Sequence, residues 1–343
     1  MEPGKNHVFE VRAQTPDGQV SKTAAGVEIR LAAKPIYLQS WFQWLLLVIL
    51  LLFIASYFIY RYYKINQLIF RRRFNPYIAG EPIIKSELFF GRDDIVRKIL
   101  SIIHNNSVMI TGERRIGKTS LLIQLKNQLS KTNDPKLKFV PIFIDLQGIS
   151  QWEFFHAMMH DIIEQTGEDL VSTRLRATDK TSDYSYRDFN VDFRKVIQHF
   201  STQNSKRLKF VLLIDEADAM NQYDQSIHAQ LRRIFMQEFS LNFAAIISGT
   251  NYIQSWNRPE SPWWNLFTLI ELNSFNKSDA AKLIQAPVKG IFKFNSDAID
   301  TIIEATGGKP YPIQTLCMNL IYSALDRNRR TIYKQDVLDL LNQ

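Results

Sequence analysis

The chain has 343 residues, of which 45% are hydrophobic and 22% charged, so its composition excludes a disordered polymer and its length allows about two or three domains. Its single cysteine, Cys317, excludes an intrachain disulfide and a cysteine-based metal site, in agreement with a main domain in a reducing compartment. The net charge of +8 would suit nucleic acid, but a group of basic residues directly follows an apolar segment and indicates a membrane-proximal cluster instead: Arg61, Lys64, Arg71, Arg72 and Arg73.

Residues 1–40 contain two alternating segments, HVFEVRAQ and VEIRLAA, separated by the turn sequence Thr15-Pro16-Asp17-Gly18. The alternation predicts two β-strands joined by a turn or longer loop. Two strands alone are marginally stable in water, so we expect this β-rich segment to need a partner.

Residues 41–60 carry no charged side chain and are long enough to cross a hydrocarbon core of about 30 Å as a helix. A cleaved signal peptide fits less well because the segment begins forty residues into the chain. A buried core helix would seldom lack polar residues for so long. The basic residues after the span predict a single-pass protein of the inner (plasma) membrane, with residues 1–40 outside the cytoplasm and residues 61–343 inside.

Residues 107–120 (SVMITGERRIGKTS) form the pattern of a strand, a glycine-bounded loop and a helix, which is the context of a phosphate-binding loop. Its backbone N–H groups and the helix N-terminus would face the phosphates of ATP. Lys118 would reach the β- and γ-phosphates and Thr119 would bind Mg²⁺. The nucleotide-binding residues expected here are Gly112, Glu113, Arg114, Arg115, Ile116, Gly117, Lys118, Thr119 and Ser120.

A second chemical signal follows the apolar run at residues 210–214, which ends in Asp215 and Glu216. A continuous apolar run is typical of a strand buried on both faces of a parallel sheet, and ligands bind at the carboxyl end of such strands. Asp215 would hold Mg²⁺ through water, and Glu216 would act as general base on the attacking water. An acidic turn after a strand is the alternative for this run in isolation.

Two further segments have less specific patterns. The predicted strand at residues 243–247 is followed by Thr250 and Asn251, either of which could sense the γ-phosphate; we assign this catalytic role to Asn251, with ordinary strand capping as the alternative. The aromatic-rich residues 256–267 could be loop packing or a partner surface. Residues 166–190 are polar and weakly periodic, which predicts a loop or insertion.

The last part of the chain has four segments with helical spacing: residues 278–285, 297–306, 310–325 and 334–341. Gly307, Gly308 and Pro310 separate the second and third of these. Helix termination by glycine and initiation by proline is a sufficient explanation of that turn by itself.

Taken together, FFGR, GERRIGKT, VLLIDEAD, SGTN, SFNKSDAAKLIQAPVKG and EATGGKPYPIQTLC resemble the STAND class, the signal-transduction relatives of AAA+ ATPases close to the archaeal-type ATPases. The resemblance implies that Phe90, Gly91 and Arg92 line the base end of the nucleotide and that Gly308 and Pro310 couple its state to a lid. It also implies self-association in the ATP state. No arginine finger can be assigned, although Arg232 and Arg233 are candidates.

The N-terminal segment is similar to the last strands of the triple-tyrosine β-sandwich domain that precedes the membrane in bacterial propeller-type sensors. His7-Val8-Phe9 stands where that domain would have a tyrosine-containing strand start. The likeness implies that the chain is a shortened relative of a larger receptor, with an unknown sensor or effector protein as partner.

The predicted fold class is α/β, a P-loop NTPase of the ASCE or AAA+-like type with a parallel sheet flanked by helices. The predicted order is 1–40 β-rich segment, 41–60 transmembrane helix, 61–85 basic linker, 86–275 ATPase core and 276–343 helical lid, whose end could begin a winged helix. The predicted function is a membrane-anchored signalling switch that binds ATP and Mg²⁺ and hydrolyses ATP slowly to ADP. A non-hydrolysing nucleotide-dependent scaffold and an origin-type DNA-binding ATPase are the alternatives, and the membrane-side position of the basic cluster disfavours nucleic acid.

Overall fold

In the computed structural model the chain divides into two compact units, Met1–Phe74 and Asn75–Gln343. The structure describes residues 6–30, 40–71, 73–166, 173–177, 181–203, 205–238, 241–250, 256, 261, 263 and 265–342. In the first unit, β1 (Asn6–Val11) pairs antiparallel with β2 (Ala25–Arg30), which is the predicted pair of strands. Its apolar side chains are largely exposed, as at Val8 and Val27, which are 60% and 50% exposed.

Helix α1 (Ser40–Arg71) follows the hairpin and is longer than the predicted span. Its segment Trp41–Lys64 has 24 residues with a mean hydropathy of 2.5, and as a helix it is about 36 Å long. By length and composition this one segment is sufficient to cross a membrane. The helix continues to Arg71, so the first part of the basic segment predicted as a helix or linker is helical.

The second unit is built on a sheet of five parallel strands in the order β4-β5-β6-β3-β7. Apolar runs predicted four of these strands: those before Gly112 and Asp215 and those at residues 139–146 and 243–247. The structure confirms them and the parallel sheet, whereas β7 was not predicted. The strands are β3 (Ser107–Gly112), β4 (Leu137–Asp145), β5 (Arg207–Asp215), β6 (Phe243–Gly249) and β7 (Phe267–Leu272).

Helices cover both faces of this sheet, because its central strands bury side chains on each face. Along β5, Phe210 and Leu212 enter one hydrophobic core and Val211 and Leu213 enter the other, as the two-residue period of a strand requires. The helices in order are α2 (Asp93–Ile102), α3 (Lys118–Lys131), α4 (Phe154–Thr166), α5 (Arg174–Ala177), α6 (Tyr186–Gln203) and α7 (Gln225–Arg233).

The C-terminal region is helical where the sequence predicted it, with α8 (Lys277–Gln285), α9 (Ser296–Thr306), α10 (Pro310–Asp326) and α11 (Lys334–Leu341). Two short parallel strands that were not predicted, β8 (Lys293–Phe294) and β9 (Thr331–Ile332), pair within this region. Gly307 ends α9 in the left-handed conformation with φ 57°, as a helix-terminating glycine does.

Residues 75–86, hereafter the strap, pack inside the second unit, although we predicted a linker as far as residue 85. The Asn75 amide donates to the carbonyl of Met318 at 2.9 Å, and the Tyr77 hydroxyl donates to the carbonyl of Ile284. At its other end the buried amide of Gln124, on α3, donates to the carbonyls of Ile83 and Ile84 at 3.0 and 2.9 Å. The strap therefore contacts both the C-terminal helices and the helix that follows the glycine-bounded loop.

The expected loop at 166–190 contains ordered structure in its described part, because a buried carboxylate holds it. Asp192 on α6 is 0% exposed and accepts hydrogen bonds from the N–H groups of Arg174 and Leu175 at 2.9 and 3.0 Å. The Tyr184 hydroxyl donates to the same carboxylate at 2.9 Å. Helix α6 begins at Tyr186, inside the segment that we predicted to be a loop or insertion.

We expect Asp192→Ala to lower the free energy of unfolding by about 3 kcal/mol, since buried donors lose their acceptor. Chemical denaturation of the 75–343 fragment measures this change. Arg187→Ala, at an exposed side chain on the same helix, is the control and should cost about 1 kcal/mol or less. Equal losses in both variants would show that the Asp192 network does not hold the segment.

The tryptophans described within residues 256–267 are core residues. They therefore serve in packing, and not as the partner surface that was the alternative. Trp256 and Trp263 are each 4% exposed and their rings stack at 4.9 Å. The Trp263 indole N–H donates to Nδ1 of the buried His228 at 2.8 Å. Burial lowers the pKa of His228, and hydrogen bonds to the carbonyls of Met220 and Tyr223 oppose this only in part.

We expect the stability of the 75–343 fragment to fall as the pH drops below about 6.5, because the unfolded imidazole then binds a proton that the folded site resists. The contribution is present above that pH and is lost progressively below it. Denaturant unfolding at pH 7.5 and 5.5 should show a smaller loss in His228→Gln than in wild type. An identical loss in the two proteins would assign the acid sensitivity to other groups.

Candidate functional site

The glycine-bounded loop connects β3 to α3 and has the backbone that its sequence predicted. Gly117 takes a φ of 100°, a conformation that favours glycine, and Arg115 lies in the left-handed region at 65°. At Gly112 a Cβ atom would lie 2.7 Å from the carbonyl oxygen of Leu272 on the neighbouring strand β7. The first glycine therefore permits a close approach of strands and the second permits the turn into the helix.

Lys118 begins α3 and its ammonium group turns back over the loop. Nζ donates to the carbonyls of Gly112 and Glu113 at 2.9 and 3.0 Å and to Thr250 Oγ1 at 3.2 Å. Burial lowers the pKa of Lys118, while the nearby carboxylates of Glu216, Asp215 and Asp218 oppose that shift. A cation is therefore held between the loop and the acidic end of β5.

The two predicted acidic residues occupy different environments at the carboxyl end of β5. Asp215 is 4% exposed; its Oδ1 accepts from the Ser248 hydroxyl of β6 and from the Glu216 N–H at 3.0 Å. Glu216 is exposed and takes a left-handed φ of 49°. The fold thus fixes one carboxylate beside the loop and turns the other towards solvent, which suits a metal ligand and a proton acceptor respectively.

Thr250 links Lys118 to a third carboxylate, that of Asp218, which was not predicted to belong to the site. Its hydroxyl accepts from Lys118, and its N–H donates to Asp218 Oδ2 at 2.6 Å. Asn251, the residue we predicted to be catalytic, lies outside the described residues. The position of Asp218 three residues after Asp215 was the only available sequence signal.

The remaining loop residues have distinct surroundings. Glu113, Arg114 and Arg115 are exposed and Ile116 is 3% exposed. The Ser120 hydroxyl accepts the N–H of Ile83 at 3.0 Å, so this predicted nucleotide ligand is engaged with the strap.

The segment Phe90-Gly91-Arg92 contacts the start of the C-terminal region. Arg92 is 8% exposed, donates to the carbonyl of Asn273 at 2.5 Å and lies 4.5 Å above the ring of Phe275. A Cβ atom on Gly91 would lie 2.8 Å from that of Asp279 on α8. The expected contact of this segment with a nucleotide base stays a prediction.

Residues next to Gly308 and Pro310 contact the glycine-bounded loop. Gly308 has a φ of 69°, and a Cβ atom there would lie 2.6 Å from the carbonyl oxygen of Phe275. Lys309 Nζ lies 2.6 Å from Glu113 Oε2, and the Arg115 guanidinium lies 4.2 Å above the ring of Tyr311. Two contacts therefore join the C-terminal helices to the loop.

The residues present fit Mg²⁺ and a nucleoside triphosphate. The backbone from Gly112 to Lys118 and the N-terminus of α3 form an anion-binding turn. The Thr119 hydroxyl and the Asp215 carboxylate supply the oxygen ligands that Mg²⁺ prefers. Their chemistry, together with that of Lys118, is the donor set of a Walker-type site.

The fold and this site define a P-loop nucleotide-binding protein with an AAA+-like ATPase core. The sequence model of an ATPase domain family predominantly from Archaea matches residues 89–316. The chain belongs to that family.

Comparison with solved structures extends the fold assignment. A Walker-type ATPase of Pyrococcus abyssi aligns with a TM-score of 0.55 and 15% identity over 73% of each chain. The Aeropyrum pernix ORC1 protein in complex with DNA aligns with a TM-score of 0.50 and 12% identity over 73% of this chain and 64% of that chain. At identities this low, the similarity shows a shared fold and nothing further. No curated protein matches.

Proposed function

We propose that this chain is a membrane-anchored ATPase switch of the STAND type, in which ATP binding and hydrolysis change the position of the C-terminal helices, here called the lid, and thereby self-association. One observation carries the proposal: the Lys309–Glu113 ion pair and the Arg115–Tyr311 contact join the lid directly to the phosphate-binding loop. In this proposal a movement of the loop around a nucleotide acts on the lid through these two contacts.

The chemistry follows from the chain's own groups. Lys118 would exchange its carbonyl contacts for phosphate oxygens, and Thr119 and Asp215 would hold Mg²⁺, which neutralises phosphate charge. Glu216, exposed beside this position, would accept a proton from the attacking water. Thr250 connects Lys118 to Asp218, and together with Asn251 it would respond to the γ-phosphate.

The contacts of the strap support the proposal that a signal reaches the ATPase from the membrane side. It begins directly after the first unit and contacts α3 through Gln124 and the C-terminal helices through Met318 and Ile284. A displacement of the strap would therefore act on the phosphate-binding helix and on the lid at once. In this proposal α1 anchors the protein in the inner membrane, with the ATPase on the cytoplasmic side and an unidentified sensor or effector as partner.

Multiple-turnover phosphate release by the 75–343 fragment tests the enzymatic part of the proposal. Several phosphates released per chain, dependent on Mg²⁺, are the expected result. Tight ATP binding with less than one phosphate per chain would favour the scaffold. Salt-dependent binding of duplex DNA by the same fragment, with no ATP-dependent change of mass, would favour a DNA-binding ATPase.

A charge swap tests the contact between loop and lid. Because the Lys309–Glu113 pair is largely exposed, its loss should change folding stability by about 1 kcal/mol or less. Lys309→Glu should nevertheless weaken the ATP-dependent protection of α10 amides in hydrogen exchange, since like charges then face each other. Combining Lys309→Glu with Glu113→Lys should restore that protection.

Lys289→Glu, on the α8–β8 connection, is the matched control and should leave the protection unchanged. If the double variant is no better than Lys309→Glu alone, the ion pair is not the connection between loop and lid.

A further inference from the structure

Outside the nucleotide site, metal-ligating side chains cluster on α4. Residues 156, 160 and 164 follow one another at four-residue spacing, so His156, His160 and Glu164 share one face of the helix over two turns. The rings of His156 and His160 are nearly parallel, at 17°, with centroids 6.4 Å apart. Asp161 flanks the same face.

The distances around His160 suit a common ligand. Its Nδ1 lies 3.8 Å from Asp161 Oδ1 and 3.8 Å from Glu164 Oε2, and ligand atoms of these three residues all lie within 4.8 Å of one another. Tetrahedral zinc with bonds of 2.0–2.2 Å separates its ligand atoms by about 3.4 Å. Small side-chain rotations would therefore bring three ligands onto one ion.

His160 and Asp161, but not Glu164, also line a cavity of about 590 Å³ whose charge favours a cation. Three carboxylates, those of Asp145, Glu153 and Asp161, line it beside the two imidazoles, and the lining residues include no lysine or arginine in the described part of the chain. An ion here would reduce repulsion among the carboxylates.

Helix α4 is also held in place independently of any ion. The Gln165 side chain accepts from the Phe143 N–H at 2.9 Å and donates to the Phe143 carbonyl at 2.6 Å, which fixes the helix to the sheet edge at β4. The ligands therefore project from a rigid element, which reduces the ordering needed for binding.

We propose that His160, Asp161 and Glu164 bind a divalent transition metal ion of the zinc class, with the His156 imidazole next to them on the same face of α4. Imidazole nitrogen in the set favours zinc, cobalt or nickel over magnesium or calcium, which prefer oxygen ligands. These ligands share no residue with the nucleotide site, and the proposal stands whether or not the chain hydrolyses ATP.

Zinc titration of the tag-free full chain in detergent, against a chromophoric chelator and with excess Mg²⁺, tests this site. We expect one zinc ion per chain and an affinity at least about 10-fold weaker in His160→Ala and in Glu164→Gln, with His199→Ala on α6 as control. Both test side chains are more than half exposed, at 59% and 70%, so the variants should fold. Cobalt in place of zinc should give the visible absorption of a nitrogen- and oxygen-ligated ion, which His160→Ala should lose.

Wild-type zinc affinity in both His160→Ala and Glu164→Gln would overturn the proposal, as would an equal loss in His199→Ala. A thermal melt of each variant identifies any that has unfolded, and the remaining variant then decides the outcome.

Discussion

Glu216→Gln is expected to lower steady-state phosphate release by at least about 100-fold while leaving ATP affinity within about threefold of wild type. The substitution keeps the shape of the side chain and removes its ability to accept a proton, and general-base catalysis contributes about 10² to 10⁴ in rate. Because Glu216 is exposed directly after β5, folding should be unaffected.

Glu271→Gln is the matched control, since Glu271 is an exposed carboxylate on β7, level with Thr111 in the sheet. It should hydrolyse ATP at the wild-type rate. Phosphate release measured under saturating ATP separates the two variants. Equal turnover in wild type and Glu216→Gln would remove Glu216 from the catalytic role.

Lys118→Ala is expected to weaken ATP binding by at least about 100-fold, or about 2.7 kcal/mol. The Lys118 ammonium is the cation that the fold places between the loop carbonyls and Thr250, so its removal takes away a charge-assisted contact to the phosphates. Calorimetric titration with ATP measures the change directly.

Lys131→Ala, at the exposed far end of α3, removes the same charge from the same helix and should bind ATP as wild type does. If Lys118→Ala retained wild-type affinity, the loop would not be the nucleotide site.

Local sequence patterns were sufficient for the centre of this fold. The apolar runs leading to Gly112 and Asp215 predicted buried parallel strands, because strands covered on both faces carry few polar side chains. The edge strand β7 was missed, since Phe267–Leu272 is only partly buried and lacks the continuous apolar run of the central strands. The strap was missed because its partners, such as Gln124 and Met318, lie far away in sequence.

The same limit applies to the site. The loop residues and the acidic end of β5 are local motifs, so Lys118, Thr119 and Asp215 could be named from the sequence. The Lys309–Glu113 pair joins residues 196 positions apart, and neither residue has a pattern that identifies the other. Asp218 is connected to the site through the backbone N–H of Thr250, a residue 32 positions away in the sequence. Contacts made by folding, rather than motifs, connect the lid to the loop.

The mass of the 75–343 fragment in ATP, in ADP and without nucleotide tests the proposed switch most directly, with Glu216→Gln included to retain ATP. We predict a larger assembly in ATP than in ADP, more persistent in Glu216→Gln and absent in Lys118→Ala. One and the same mass in all three conditions, for a fragment that calorimetry shows to bind ATP, would contradict the account.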